Sequence, residues 1–493
     1  VARGVAPRPL RDATLVSGSM DSSRNLVPPP VHAASSAPSR RTALAGLFAG
    51  AAGAVGAVGL GAPAASATPA GAVAAGPIPD GSPTPGAMQL FADPGLNFGA
   101  LLALGAADAR ASEVGEVLTA VNAINAAGAN ENTYTAEFRA WGDRLDSLRT
   151  GHRETDRFRS LRAAQYYGQA LFFVLGSHTP GDEEPLYLAG RRNWDRFARL
   201  CDPAAITDRV PYGRTPLPVW FFRPDASGTP RPTVILTNGS DGQNVDMWTY
   251  GVMAALDRGW NALVYDGPGQ GQLLFVDEVV FTPRWERVVG PLIDWLLRRS
   301  DVDGRRIALT GLSMGGNLAP RAAAFDHRIA ALVAMPGCLD PWLAFPAELR
   351  EILTPDREET NRIWNEEVVP ELGPSEAYLV KKRFEPFSVE AMLEARRGRM
   401  FTDFWTAARR VAAMDITGVV RRIEAPTLVL DYEDEQFYPG QPREMYELLR
   451  APKEYKRLTS ATGAQLHCSP MAPQQHCEVV FDWLEDTVGR GRG

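Results

Sequence analysis

A serine with glycines two residues away on either side occupies Gly311-Leu312-Ser313-Met314-Gly315, and Gly316 follows. The residues before it, Arg306 to Thr310, read as strand, and Asn317-Leu318-Ala319 opens a helix. Strand, G-x-S-x-G and helix in that order make a sharp turn with Ser313 at its exposed tip, where small neighbours let strand and helix approach. The Met314 N–H, at the helix N-terminus, can face a developing oxyanion. A Gly-rich turn with a structural serine is the plainer alternative, and the strand and helix on either side argue against it. A serine hydroxyl becomes a nucleophile only when a neutral imidazole takes its proton, and that imidazole needs a carboxylate to fix its tautomer.

Three histidines follow Ser313. His327 comes only fourteen positions later on the same crossover, beside Asp326 and Arg328, and reads as a surface residue. His476 falls at the start of a terminal helix that includes Val479, Val480, Phe481 and Trp483. His467 lies in the loop after the strand-like run Glu454 to Leu458 and is the expected base. The acid is expected after the strand Thr427 to Leu430, where Asp431-Tyr432-Glu433-Asp434-Glu435-Gln436 offers four carboxylates. Counted back from Pro439, which closes the loop, Glu435 holds the acid position and Asp434 is its close competitor; the surplus carboxylates read as a surface acidic turn. A second oxyanion donor is expected in Asn238-Gly239-Ser240-Asp241-Gly242, with the Ser240 N–H as the choice. Asp266-Gly267-Pro268-Gly269-Gln270-Gly271 lacks the phosphate-binding glycine spacing and reads as a tight turn bordering the pocket.

These residues need a scaffold. After Pro211, short β-rich runs alternate with stretches of amphipathic helical length: strands over Leu217 to Phe222, Thr233 to Thr237, Asn261 to Tyr265, Arg306 to Thr310, Ile329 to Ala334, Thr427 to Leu430 and Glu454 to Leu458, and helices around Met247 to Arg258 and Arg284 to Arg299. This predicts an α/β fold, a mostly parallel sheet with helices on both faces, whose ligands bind outside the carboxyl ends of the strands. Leu90 to Pro203 has helical period throughout, with Asn132 as the expected N-cap of a helix over Thr133 to Arg149 and another helix over Thr155 to Leu175. The expected organisation is an N-terminal helical cap over 87–205, a core in two parts over 206–340 and 425–493, and an inserted helical lid over 341–424.

The first seventh of the chain is unlike the rest. Residues 1–67 carry six Arg and two Asp, a charge of +4 in a protein of −7, so the remaining 426 residues sum to −11. Arg40-Arg41 precedes an uncharged Ala/Gly/Val/Leu run ending in Ala65-Ser66-Ala67, the layout of a signal peptide, and the paired arginines resemble a twin-arginine signal. Expected from this are passage through the twin-arginine export machinery, cleavage near Ala67, a secreted or extracytoplasmic product with no stable membrane anchor, and a start at Val1 or Met20. Residues 68–86 read as an Ala/Pro/Gly linker. The acidic balance offers no field for nucleic acid, so the expected partner is a small-molecule substrate. At 45% hydrophobic and 22% charged, the chain is an ordinary globular sequence.

Taken together, Asn238 to Gly242, Asp266 to Gly271, Gly311 to Gly316, Asp434-Glu435-Gln436-Phe437-Tyr438-Pro439-Gly440-Gln441, Leu466-His467-Cys468 and the helical Arg159 to Tyr167 resemble one branch of the α/β-hydrolases. That branch includes 2,6-dihydroxypseudooxynicotine hydrolase, fungal pigment-precursor hydrolases and FrsA-like esterases. The resemblance covers roughly Leu90 to the C-terminus. It implies a Ser-His-acid hydrolase without cofactor or metal, cleaving esters or carbon–carbon bonds next to a carbonyl, with Glu435 where Asp is commoner in the family. An acylaminoacyl-type peptidase would carry a β-propeller before its core, where this sequence is short and helical, and a non-catalytic binding protein would usually have lost part of the triad. A zinc site from His467-Cys468 and His476-Cys477 spans a tetrahedron poorly. A Cys468–Cys477 disulfide fits export better, and Cys201 and Cys338 read as buried thiols.

Overall fold

The computed structural model describes residues 88–489. The expected leader over 1–67 and the linker over 68–86 lie outside the described residues. Eight strands form one sheet: β1 (Ile206–Val210), β2 (Leu217–Phe222), β3 (Arg231–Thr237), β4 (Asn261–Tyr265), β5 (Val302–Leu312), β6 (Ala331–Met335), β7 (Thr427–Tyr432) and β8 (Lys453–Leu458), in the order β1-β2-β4-β3-β5-β6-β7-β8. β2 runs antiparallel to β1 and β4, and every pairing from β4 to β8 is parallel. β1 escapes periodic reading because Thr207, Asp208 and Arg209 are exposed on an edge strand that buries only Val210.

Alternation along the central strands divides the core in two. Val219, Phe221, Ile235, Leu263, Ile307 and Leu309 point to one face. There they meet α6 (Glu286–Leu297) and α7 (Gly315–Ala323). Their neighbours Trp220, Phe222, Val234, Leu236, Ala262, Val264 and Ala308 point to the other. That face is covered by the helical segment from Asn244 to Asp257, which contains a π-turn over Trp248–Val252, and by α9 (Pro473–Leu484). A parallel sheet buried on both faces reads as continuous apolar strands, which is why these were legible.

Before the sheet come α1 (Pro94–Gly105), α2 (Val114–Ala126), α3 (Glu131–Ser147), α4 (Arg153–Phe173) and α5 (Glu183–Leu200). The cap of α3 is Asn130, not Asn132: its side chain accepts the Asn132 and Thr133 amides, while Thr133 returns a bond to the Asn130 amide. Asn132 instead accepts the His178 amide. The helices between β6 and β7 include α8 (Pro374–Phe384), and this insertion packs against the N-terminal helices. Tyr378 donates to the Phe172 carbonyl at 2.8 Å, and Arg396 pairs with buried Glu183 at 2.7 Å. The N-terminal helices also grip the sheet layer directly, through Trp248 donating to the Ala109 carbonyl. No helix among the described residues is long and apolar enough to cross a membrane.

At the end of α1 the packing is closest. A β-carbon on Gly105 would lie 1.7 Å from the Pro470 carbonyl oxygen, so only glycine lets α1 reach the loop that carries His467. Gly105→Ala gains about 1 kcal/mol of helix propensity. We expect it nevertheless to lower unfolding free energy by about 1–3 kcal/mol through overpacking. A denaturation midpoint unchanged or raised in this variant would contradict the contact.

Candidate active site

β5 delivers Ser313 into a turn that the chain can make only with small neighbours. Ser313 sits at φ 56°, a left-handed conformation rare for a residue with a β-carbon. Its amide donates to the Met335 carbonyl at 2.7 Å, tying the turn to the end of β6. A β-carbon on Gly311 would meet the Gly315 oxygen at 1.9 Å, on Gly315 the Thr237 oxygen at 2.5 Å, and on Gly316 the Pro336 oxygen at 1.8 Å. The glycines are thus the condition for α7 to start where it does.

His467 arrives from the loop after β8 and Glu435 from the loop after β7. The imidazole Nε2 is 2.9 Å from Ser313 Oγ, and Nδ1 is 2.8 Å from both Glu435 oxygens. In the neutral ring Nδ1–H donates to the carboxylate and Nε2 faces the serine hydroxyl as acceptor. Glu435 is aimed by the turn that follows it: Oε1 also accepts the Phe437 and Tyr438 amides at 2.9 and 3.1 Å. Burial works against a charged imidazole, but the adjoining Cys468 sulfur and the Glu435 carboxylate outweigh it and push His467 up to about 10.

Asp434 takes another part. Its backbone bridges to Leu466, with its amide donating to the Gln465 carbonyl at 2.9 Å, so it fastens the Glu435 loop to the His467 loop. Of the remaining carboxylates, Glu433 is exposed, as a surface acidic turn would have it, and Asp431 is buried. Asp431 accepts from the Tyr455 hydroxyl, and Glu433 accepts the Ser460 amide and hydroxyl at 2.6 and 2.7 Å. His327 is half exposed beside Glu424.

Met314 follows Ser313 in the chain, and Ser240 lines the same cavity as Ser313. Neither amide has a hydrogen-bond acceptor among the described turn and loop contacts, whereas the Gly239 amide is spent on Asn238 Oδ1 at 2.7 Å. Gly239 itself is essential to the approach, since a β-carbon there would meet Ser313 Cβ at 2.8 Å. Gln270, in a turn expected only to border the pocket, holds this loop by donating to the Asn238 and Gly239 carbonyls at 2.7 and 2.9 Å. Gly269 and Gly271 have φ of 78° and 46°, the conformations that turn needs.

Ser313, His467 and Ser240 open onto a cavity of roughly 850 Å³, counting its mouth. Its walls are mixed in origin: Phe98 and Leu102 from α1, Gly168, Gln169 and Phe172 from α4, and Arg383 from α8. The region expected as a lid therefore contributes one side chain to this wall, and the N-terminal helices supply most of the cover. Phe437 stands edge-on to His467 at 4.6 Å, and the Tyr438 hydroxyl reaches Met314 Sδ at 3.9 Å. Neither residue was singled out in the sequence for a role of its own, although both belong to the loop that carries Glu435.

Cys468 and Cys477, whose pairing the sequence left open, are not joined in a disulfide. Both are free buried thiols, directed at different carbonyls: Cys468 at Met335, 3.8 Å, and Cys477 at Thr249, 3.5 Å. Among the described residues no three His, Cys, Asp or Glu gather in a way that could hold a metal ion. His476 lies behind the site, its Nδ1 3.3 Å from the Tyr432 hydroxyl, and burial pushes it down to about 3. A depressed folded-state value means that the unfolded chain takes up a proton first. The stability this neutral histidine contributes is present above about 6.5 and is lost as pH falls toward 3. Unfolding free energy measured from pH 7 to 4 should therefore fall more steeply in the native protein than in His476→Gln, and parallel curves would contradict the assignment.

The chain matches the family model described as "Alpha/beta hydrolase family" over residues 234–482, half of its length. It is 30% identical over 274 residues to 20-hydroxy-prefusarin hydrolase FUS2 of Gibberella moniliformis, covering 51% of this chain and 62% of that one. It is 31% identical over 267 residues to hydrolase LUC6 of a Fusarium species, with 51% and 62% covered. The chain thus spans less than two thirds of the length of these curated relatives. The crystal structure of 2,6-dihydroxy-pseudo-oxynicotine hydrolase superimposes with a TM-score of 0.53 at 20% identity, over 78% of this chain and 95% of that one, a likeness of fold. With its parallel sheet, its serine turn and these matches, the chain belongs to the alpha/beta hydrolase family.

Proposed function

We propose that this hydrolase acts through Ser313 as nucleophile, His467 as base and Glu435 as the acid that orients it, with an acyl-enzyme intermediate. The observation that carries the reading is the unbroken contact from Glu435 through His467 to Ser313 Oγ at 2.8 and 2.9 Å, opening on a partly aromatic cavity. Ser313 Oγ attacks a carbonyl carbon as its proton passes to His467 Nε2. The new oxyanion is received by the Ser240 and Met314 amides, and His467 then gives the proton to the leaving group. Water repeats the sequence to release the acid.

The cleaved bond is an ester or a carbon–carbon bond adjacent to a ketone in a small to medium, aromatic or polyketide-like substrate. The relatedness to fungal hydrolases supports that class, as do the rings of Phe98, Phe172, Phe437 and Tyr438 on the walls. Product analysis against aryl esters and β-diketones separates the two bond types. Loss of at least ~10³-fold in turnover is expected for Ser313→Ala with the fold retained, and full activity in that variant would overturn the proposal.

The pH profile tests the base. His467 must be neutral to accept the proton, and its folded-state value is pushed up to about 10. The acid limb of kcat/KM should then lie above the ordinary histidine range near 6.5. Glu435→Gln removes the carboxylate charge that helps to hold it there. It should move the limb downward while cutting the plateau about 10³–10⁴-fold. A limb at or below 6.5 that ignores Glu435→Gln would contradict the pairing.

A further inference from the structure

On the cavity wall the charged side chains are Asp241, Asp246, Arg383 and, when protonated, His467. Three are engaged. Asp241 accepts from the Ser240 hydroxyl at 3.0 Å, Asp246 accepts the Gln243 amide at 2.7 Å and Gln165 at 3.3 Å, and His467 is held by Glu435. Arg383 has neither a hydrogen bond nor an ion pair among the described residues; its guanidinium carbon lies over the Phe437 ring, 5.1 Å from the centroid. Its neighbours show that the segment is not simply a solvated basic helix end: Lys382 is buried and pairs with buried Glu385 at 2.6 Å.

Placement gives this cation its meaning. Phe437, on which Arg383 stacks, stands edge-on to His467, so the guanidinium lies one ring away from the base. Arg383 also borders an adjoining apolar recess formed by Phe345, Pro346, Leu349, Leu379 and Phe384. A half-buried guanidinium between an aromatic ring and an apolar recess is partly shielded from solvent and has no protein acceptor among the described residues. An oxyanion brought by a ligand restores what it lacks, and Arg is the side chain best shaped to receive one.

We propose that Arg383 is the specificity-determining residue of this cavity, recognising a negatively charged oxygen of the substrate, a carboxylate, phenolate or enolate, on a largely apolar body. This rests on the reading of the cavity as the acyl-substrate pocket. It narrows that reading to acidic substrates whose charged oxygen lies on the Phe437 side of the cavity. No covalent step is involved, since the contact is made in the ground state and kept through the reaction.

Binding tests this without turnover. In Ser313→Ala protein, the dissociation constants of phenylacetate, of octanoate and of their two primary amides are measured by calorimetry at low salt. At least one acid should bind about tenfold or more tightly than its amide, the range of a charge-assisted hydrogen bond. Arg383→Met, which keeps an unbranched apolar stem over Phe437, should bring acid and amide to within about twofold, and Arg383→Lys should keep part of the preference. A thermal midpoint for each variant certifies the fold, and Arg383→Lys carries the test if Arg383→Met unfolds. Acids that bind no tighter than their amides, or a preference that survives Arg383→Met, would overturn the proposal. The hydrolase reading is decided separately by turnover in the unsubstituted protein: esterase activity without acid preference removes only the role of Arg383, and acid preference without any hydrolysis removes only the hydrolase reading.

Discussion

Ser313 occupies a backbone conformation that a side chain with a β-carbon adopts only when its surroundings impose it. Here they do so from three directions. β5 runs into the turn, α7 leaves it with Gly315 and Gly316 pressed against the carbonyls of Thr237 and Pro336, and the Ser313 amide is held by the end of β6. The strain is offset by burial along both faces of the sheet, and its product is a hydroxyl that projects from the carboxyl edge. Every other part of the site is arranged around that one oxygen. Gly239 lets the loop after β3 approach it, and Gln270 fixes that loop from the next strand over.

The same economy governs His467 and Glu435. They come from consecutive crossovers, and the Asp434–Leu466 bridge makes one unit of the two loops. The carboxylate is then aimed by the amides of its own turn, so its orientation does not depend on the histidine. The N-terminal helices complete the enclosure by packing on this pair of loops through Gly105 and Pro470, and on the inserted helices through Tyr378 and Arg396. Cover and site are therefore mechanically joined, and the cavity wall is shared among α1, α4, α8 and the strand-end loops.

Much of this was legible in the sequence, for physical reasons that can be named. A buried parallel sheet writes apolar runs such as Leu217 to Phe222 and Asn261 to Tyr265, and a serine turn writes its glycines. β1 was not legible because an edge strand exposes Thr207, Asp208 and Arg209 and leaves no alternation. Asn130 and Asn132 are equally good caps by type, and only the reciprocal bond with Thr133 separates them. Counting back from Pro439 favoured Glu435 but left Asp434 a close competitor, because adjacent residues differ in direction more than in position; Glu435 is the one that meets His467. The amides of Phe437 and Tyr438 provide that direction. Arg383 was hidden for the opposite reason: Lys381-Lys382-Arg383 looks like an ordinary basic helix end until Lys382 is found buried with Glu385.

In the proposed mechanism Ser313 is the nucleophile and the Ser240 and Met314 amides receive the oxyanion. A crystal structure of the protein treated with an uncharged alkyl fluorophosphonate tests it most directly. Phosphorus should be bonded to Ser313 Oγ, with the phosphoryl oxygen about 2.7–3.1 Å from both amide nitrogens. Phosphorus on another residue, or a phosphoryl oxygen turned away from both amides, would contradict it.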